Sequence, residues 1–391
     1  MFILDNALLY LLIFLAIAAG WWLGRRDRRK VSPTVSANYF TGLNYLLNEE
    51  PDRAVSTFVE ELEVNGDTLE THLALGNLLR RRGEIDKAIV VHKNILKNNV
   101  ITPDDSRLVQ LELARDYLLA GLLDRSEELL VDMIAKSGPL KNESRKLLLE
   151  IFEQGKEWRK AIEIAEMLAS GTETEHFEEA ISQYHCELAE EYLGSNRFDD
   201  ARSALSDAMG HDARNARVSL LVGNLEFKQG NYEEAIRSLV RIKDQRAIYV
   251  PESLELLARS YEASGADPQA LHDYLKACLE IIPSISIVLF LAKSIREEFG
   301  DEAVAKFIAD HLKRNPTIRG LSQLIDLHID NTQGVAKENL AILRSFTEAL
   351  VAGKPAYQCK SCGFEGKVLR WSCPSCKNWG KTEPIFGLEG E

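Results

Sequence analysis

From residue 35 to residue 352, apolar side chains recur at intervals of three and four, the spacing that gathers them on one face of an α-helix. Short clusters of Gly, Asn, Asp and Pro break the pattern, as turns between helices do. The chain therefore predicts an all-α body made of paired helices. The pairs repeat. The clearest runs from Gly223 to Ala235, GNLEFKQGNYEEA: a small residue on a first helix, a turn glycine, an aromatic, and a small residue on a second helix. The second small residue recurs at Ala54, Ala88, Ser126, Ala161, Ala201, Ala235 and Ala270, in steps of 34, 38, 35, 40, 34 and 35 residues. Twelve positions earlier stand Gly42, Gly76, Ala114, Leu149, Ala189, Gly223 and Ala258. Nine positions earlier stand Tyr45, Leu79, Tyr117, Phe152, Tyr192, Glu226 and Tyr261. Gly83, Gly121, Gly230 and Gly265 lie five before their marks and are expected in turns. Leu149 and Glu226 depart from the pattern. An eighth unit is expected around Gly300 and Ala305, and a ninth, degenerate pair over 321–350.

This period and residue pattern resemble the tetratricopeptide repeat. The resemblance implies a superhelical solenoid in which each pair buries its apolar face on its neighbours and the first helices line a concave groove. No catalytic motif interrupts the array: HExxH, the phosphate-binding GxxxxGK[ST] loop, GxGxxG and GxSxG are all absent. The eight histidines are scattered, and His185 and Cys186, as neighbours on a helix, are expected to point apart. Arg80, Arg81 and Arg82 form a basic island, read either as a solvated charge run or as a grip on an acidic partner.

At the N-terminus, Ala7–Leu23 is an uncharged apolar run of 17 residues, the short end of what spans a bilayer as a helix. Arg25, Arg26, Arg28, Arg29 and Lys30 follow it, and Trp21 and Trp22 sit where an interfacial aromatic belt would lie. Basic residues after the run put the remainder of the chain in the cytoplasm. A secretory leader would carry its charges before the run and a small-residue cleavage site after it. The expected domains are an anchor over 1–24, a basic linker over 25–34, the repeats over 35–352 and a C-terminal domain over 353–391.

That last segment carries four of the six cysteines as two C-x₂-C pairs, Cys359 with Cys362 and Cys373 with Cys376. Two such turns face to face make a tetrahedral cage of four sulfurs for one metal ion. Gly363 suits the first turn and Pro374 stiffens the second. A segment this small cannot stabilise itself by burial alone, and a bound metal supplies folding free energy. Disulfides or a redox dithiol are the alternatives; a reducing cytoplasm favours metal. Iron and zinc both fit, and iron leaves an electron carrier open. Tyr357, Phe364, Trp371, Trp379 and Phe386 are expected to flank the cage. Cys186 and Cys278, in apolar helical surroundings, read as core thiols.

Net charge is −13, unevenly placed. Residues 1–30 hold five basic and two acidic side chains, and 354–391 hold six and four, so the deficit of positive charge lies in the body. An acidic body argues against general nucleic-acid binding.

The knuckles, CxxCG and CPxC, resemble the rubredoxin-type ribbon, with Lys377 where the second knuckle usually has Gly. Anchor, basic stop, repeats and ribbon in this order resemble the lipopolysaccharide assembly protein B family of Gram-negative bacteria. The resemblance implies a regulator and not an enzyme, a single-pass protein of the inner membrane facing the cytoplasm. It implies action with the protease FtsH to promote degradation of the LpxC deacetylase, contacts with other inner-membrane regulators of lipopolysaccharide assembly, and Cys359, Cys362, Cys373 and Cys376 as metal ligands. Whether two copies associate is left open by the residues.

Overall fold

The computed structural model describes residues 14, 16–22, 37–48, 50–61, 64, 68–97, 101–136, 138–170 and 174–391. Most of the apolar run 7–23 and all of the basic stretch 25–30 lie outside them. Among the described residues no helix is long and apolar enough to cross a membrane. The chain divides into two compact units, Met1–Ile151 and Phe152–Glu391.

The first unit holds α1 (Ala37–Leu47), α2 (Pro51–Ser56), α3 (Leu69–Arg81), α4 (Ile85–Leu96), α5 (Pro103–Leu119) and α6 (Leu123–Ala135), and the division falls within α7 (Lys141–Gly155). The second continues through α8 (Trp158–Ala169), α9 (Thr174–Gly194), α10 (Phe198–His211), α11 (Ala216–Lys228), α12 (Tyr232–Val240), α13 (Ile242–Arg246), α14 (Val250–Ser264) and α15 (Pro268–Leu279). It ends in α16 (Ile285–Arg314), α17 (Ile318–Asp330), α18 (Val335–Val351) and a three-stranded antiparallel sheet.

One turn recurs in both units. Gly83, Gly121, Lys156, Asn196 and Gly230 all take positive φ, between 56° and 83°. The amide of the next residue donates to the carbonyl of Leu79, Tyr117, Phe152, Tyr192 or Glu226, at 2.8–2.9 Å. This is the six-to-one closure by which a left-handed residue ends a helix. The acceptors are the residues nine before each mark, so the register holds even at Glu226, where the side-chain pattern lapses. Ala54, Ala88, Ser126, Ala161, Ala201 and Ala235 are fully buried. Their partners leave no room either. A Cβ added at Gly76 would lie 2.3 Å from His92 Nε2, and one at Gly223 would lie 2.5 Å from Leu239.

The seventh mark needs correction. Ala270 is exposed, and Leu271 takes the buried place. Gly265 (φ 68°) is followed by one extra residue, Ala266, before the helix cap at Asp267, so the second helix starts one position late. At the eighth unit, Gly300 (φ 80°) breaks α16 in two, and Val304 and Ile308 beyond it are buried. The ninth pair is α17 and α18, joined through Gly334.

The basic island divides as well. Arg80 is turned inward, bonded to Asp116 at 2.9 Å and to Glu112 at 2.5 Å, while Arg81 and Arg82 are exposed. Asp116 also meets buried His92 at 2.5 Å. Arg80 therefore serves the packing of α3 on α5 and is not free to grip a partner.

Candidate metal centre

Strand β1 (Tyr357–Cys359) pairs antiparallel with β2 (Glu365–Gly366) on one side and β3 (Thr382–Pro384) on the other. The pairing closes the first knuckle: Cys359 N–H donates to the Phe364 carbonyl and Gly363 N–H to the Cys359 carbonyl. The second knuckle repeats it, with Cys373 N–H donating to Asn378 and Lys377 N–H to Cys373. Gly363 has φ 78° and Lys377 has φ 61°, so Lys377 occupies the left-handed place of a glycine. A side chain there costs about 1–2 kcal/mol. Lys377→Gly should raise the ribbon's resistance to guanidinium by up to about 1 kcal/mol, reduced by the greater freedom of Gly in the unfolded chain. An unchanged or lower midpoint would show that the strain is relieved otherwise.

The knuckles bring four sulfurs within 4.8 Å of one another. Cys359 lies 3.7 Å from Cys376, and Cys362 lies 3.6 Å from Cys373. A disulfide needs about 2.05 Å. A tetrahedral metal with thiolates at about 2.3 Å separates them by roughly 3.8 Å. The donor set therefore fits one soft metal ion with four protein ligands and no open position. Cys359 and Cys373 are buried, Cys376 is half-buried and Cys362 is exposed. Cys362 is pulled down to about 7, first by the backbone N–H of Phe364. Cys376 has a backbone N–H from Asn378 favouring its thiolate, but desolvation and the three neighbouring sulfurs push it up to about 12. Four thiols crowded this closely cannot all ionise without a cation among them.

The aromatics expected around the cage turn mostly to the helices of the same unit. Trp379 Nε1 donates to Glu153 Oε1 at 2.8 Å, and the Tyr184 hydroxyl donates to the same oxygen at 2.6 Å. The Trp379 ring stands edge-on to Trp158 (5.9 Å, 83°) and to Tyr184 (5.6 Å, 89°). Trp371 packs 5.1 Å from Tyr249, with the Arg217 guanidinium 5.7 Å from its centroid. Arg217, itself 2% exposed, is held by Gln183 (3.1 Å), Glu187 (2.7 Å) and Glu190 (2.9 Å). The Tyr249 hydroxyl donates to the Thr382 carbonyl at 2.8 Å, and the Tyr357 hydroxyl to Glu252 at 2.7 Å. At the chain's last residue, Glu391 accepts from Ser284 Oγ, Ser286 N and Oγ, and Arg319, between 2.6 and 3.0 Å. Leu369, Trp371 and Phe386 pack on the core to which α11 through α16 contribute. The ribbon thus lies against helices from α7 to α17, mostly first helices of successive pairs, and shares their core.

Residues 357–384 match the rubredoxin metal binding domain family, and residues 186–247 match a tetratricopeptide repeat family. Lipopolysaccharide assembly protein B of Escherichia coli K12 is 35% identical over 389 residues, covering 98% of this chain and 99% of that protein. The protein of the same name from Haemophilus influenzae is 32% identical over 396 residues, with 98% and 99% covered. This chain belongs to the lipopolysaccharide assembly protein B family. Among solved structures, MamA from Desulfovibrio magneticus RS-1 is similar at 13% identity and a TM-score of 0.31, covering 46% of this chain and 97% of that one. That overlap is too low to add to the fold described.

In this member of the family the sequence pointed to the four cysteines but not to their seat. Glu153, Tyr184, Arg217 and Tyr249 were ordinary helical positions; the signal that could have marked them is Arg217, a cation on an otherwise apolar helix start. His185 and Cys186 form no dyad: burial pushes the Cys186 thiol up to about 12 and holds His185 neutral by lowering its pKa.

Proposed function

We propose that this chain is a non-enzymatic adaptor in lipopolysaccharide assembly that acts through protein–protein contacts. Its near-full-length relationship to proteins named for that assembly supports the reading. So does a four-sulfur site with no position for substrate or water, set in a ribbon bonded to the repeats. In this reading Cys359, Cys362, Cys373 and Cys376 hold one iron or zinc ion whose task is structural: the ion closes the ribbon, and the ribbon braces helices α7 to α17. Residues 1–24 anchor the chain in the inner membrane with the remainder in the cytoplasm, and the adaptor promotes FtsH-mediated degradation of LpxC. Confinement to one membrane raises the effective concentration of partners, so modest affinities suffice.

Two measurements test this. Depletion of the protein should lengthen the half-life of LpxC and raise lipopolysaccharide; an unchanged half-life would count against the FtsH–LpxC assignment. Deletion of residues 1–24 should leave a folded, metal-loaded protein that no longer lowers LpxC. Full regulation by that form would show the anchor to be dispensable.

A further inference from the structure

The repeat array ends on α18, because the chain then turns through Gly353 (φ 96°) into the ribbon and no further helical pair follows. One face of α18 packs on α17, where Arg344 pairs with Asp326 at 2.7 Å, and Thr347 is its one buried side chain among the described residues. The opposite face is apolar and open: Val335, Ile342, Leu343, Phe346 and Leu350 are each more than half exposed. The last helix of a solenoid ordinarily turns a polar face to water. These five side chains together expose about 500 Å², toward the upper end of what a soluble monomer leaves open in one patch. Their spacing is that of a helix seam. Val335, Ile342 and Ala349 recur every seven residues, as do Leu343 and Leu350, and Asn339 and Phe346. A seven-residue recurrence holds one stripe against a second helix along its length.

We infer that α18 is a self-association surface, at which two copies of this chain pair antiparallel through the exposed stripe about a twofold axis. Two observations select a second copy as the occupant. The first is area. Two such stripes bury about 1,000 Å² from these side chains alone, the size at which a specific interface begins. The second is charge. Of the four charged residues on α18, helical spacing puts Lys337, Arg344 and Glu348 away from the stripe, and only Glu338 borders it. With the axis crossing α18 between Ile342 and Leu343, Phe346 of each copy meets Asn339 of the other, and Val335 lies level with Leu350. Glu338 then stands beside Ser345 and Ala349, so no like charges are opposed and the seam has no charge to desolvate. A parallel pair would set the two Glu338 side chains together. A contact between identical patches closes on itself and stops at two copies. The inference goes beyond the adaptor reading and does not rest on it.

The test uses the full-length chain in isolated cell membranes, without detergent that would coat the stripe, and a short bis-maleimide. Ile342→Cys lies beside the axis and should link to its own counterpart, giving a band of twice the chain mass. Val335→Cys should not link to itself, because the antiparallel arrangement holds its two copies about 20 Å apart along the helices. Phe346→Glu added to Ile342→Cys should lower the linked fraction at least about tenfold, since a twofold interface loses the side chain twice. Asn339→Leu added to Ile342→Cys should raise it, since a buried amide fixes the register at a cost in stability. All four side chains are exposed in the single chain, so each variant should keep one metal per chain. An Ile342→Cys chain that does not link, or that links only to a different protein, would overturn the inference. So would Val335→Cys linking to itself as well as Ile342→Cys does, or a linked fraction unmoved by Phe346→Glu. The half-life of LpxC in the same cells tests the adaptor reading separately.

Discussion

Cys359→Ser combined with Cys362→Ser will leave the chain without stoichiometric metal and will free the ribbon from the helices that carry it. Apparent binding free energies for structural zinc sites are about 10–16 kcal/mol, and in so small a segment nothing of that size replaces them. The two substitutions also remove the sulfurs that join one knuckle to the other, Cys359 to Cys376 and Cys362 to Cys373. Elemental analysis should fall from one metal per chain to near zero, and proteolysis should open within residues 353–391 while α3 to α6 stay protected. Metal content that stayed near one per chain would refute the ligand assignment. Protection of the ribbon without metal would show that docking alone orders it.

Trp379→Ala will separate the two roles that the double substitution confounds. The sulfurs are untouched, so metal should be retained. What goes is the indole wedged edge-on to Trp158 and Tyr184 and one of the two donors to Glu153. Removing a large aromatic from a packed site costs about 3 kcal/mol, with further loss from a part-buried carboxylate deprived of a donor. The guanidinium transition of Phe152–Glu391 should move down accordingly. Trp379→Phe keeps most of the packing and loses only the N–H, so it should cost about 1 kcal/mol. Equal stabilities for Trp379→Ala and the parent chain would mean that the ribbon rests on the helices without bracing them.

The residue pattern revealed the repeats because their constraint is local. A small side chain is required wherever two helices cross closely, and the Cβ contacts at Gly76 and Gly223 show how little space there is. The turns were equally legible where glycine marked them and were silent at Lys156 and Asn196, which take the same left-handed conformation without the residue that announces it. The four cysteines were legible because ligand spacing is also local. The docking of the ribbon was not. Glu153 and Trp379 meet across 226 positions, and nothing in helical periodicity distinguishes a glutamate that accepts two hydrogen bonds from one that faces water. The tryptophans were expected to flank the cage, and the pattern gave no sign that their rings also meet the helices. The extra residue at Ala266 escaped notice for the opposite reason: a one-residue slip leaves the spacing almost unchanged and still reverses which side chain is buried.

The span of 226 residues between Glu153 and Trp379 also sets an order of events during synthesis. Translation at roughly 5–20 residues per second delivers Trp379 to a ribosome's exit some 10 to 45 s after Glu153. By the end of that interval the helices bearing Trp158, Tyr184, Arg217 and Tyr249 have all been made, and until the ribbon follows, their aromatic and charged faces are uncovered. The ribbon follows them, and Glu391 fastens itself to Ser284, Ser286 and Arg319. A nascent chain that stalls or is cut short before the second knuckle would therefore leave that face exposed.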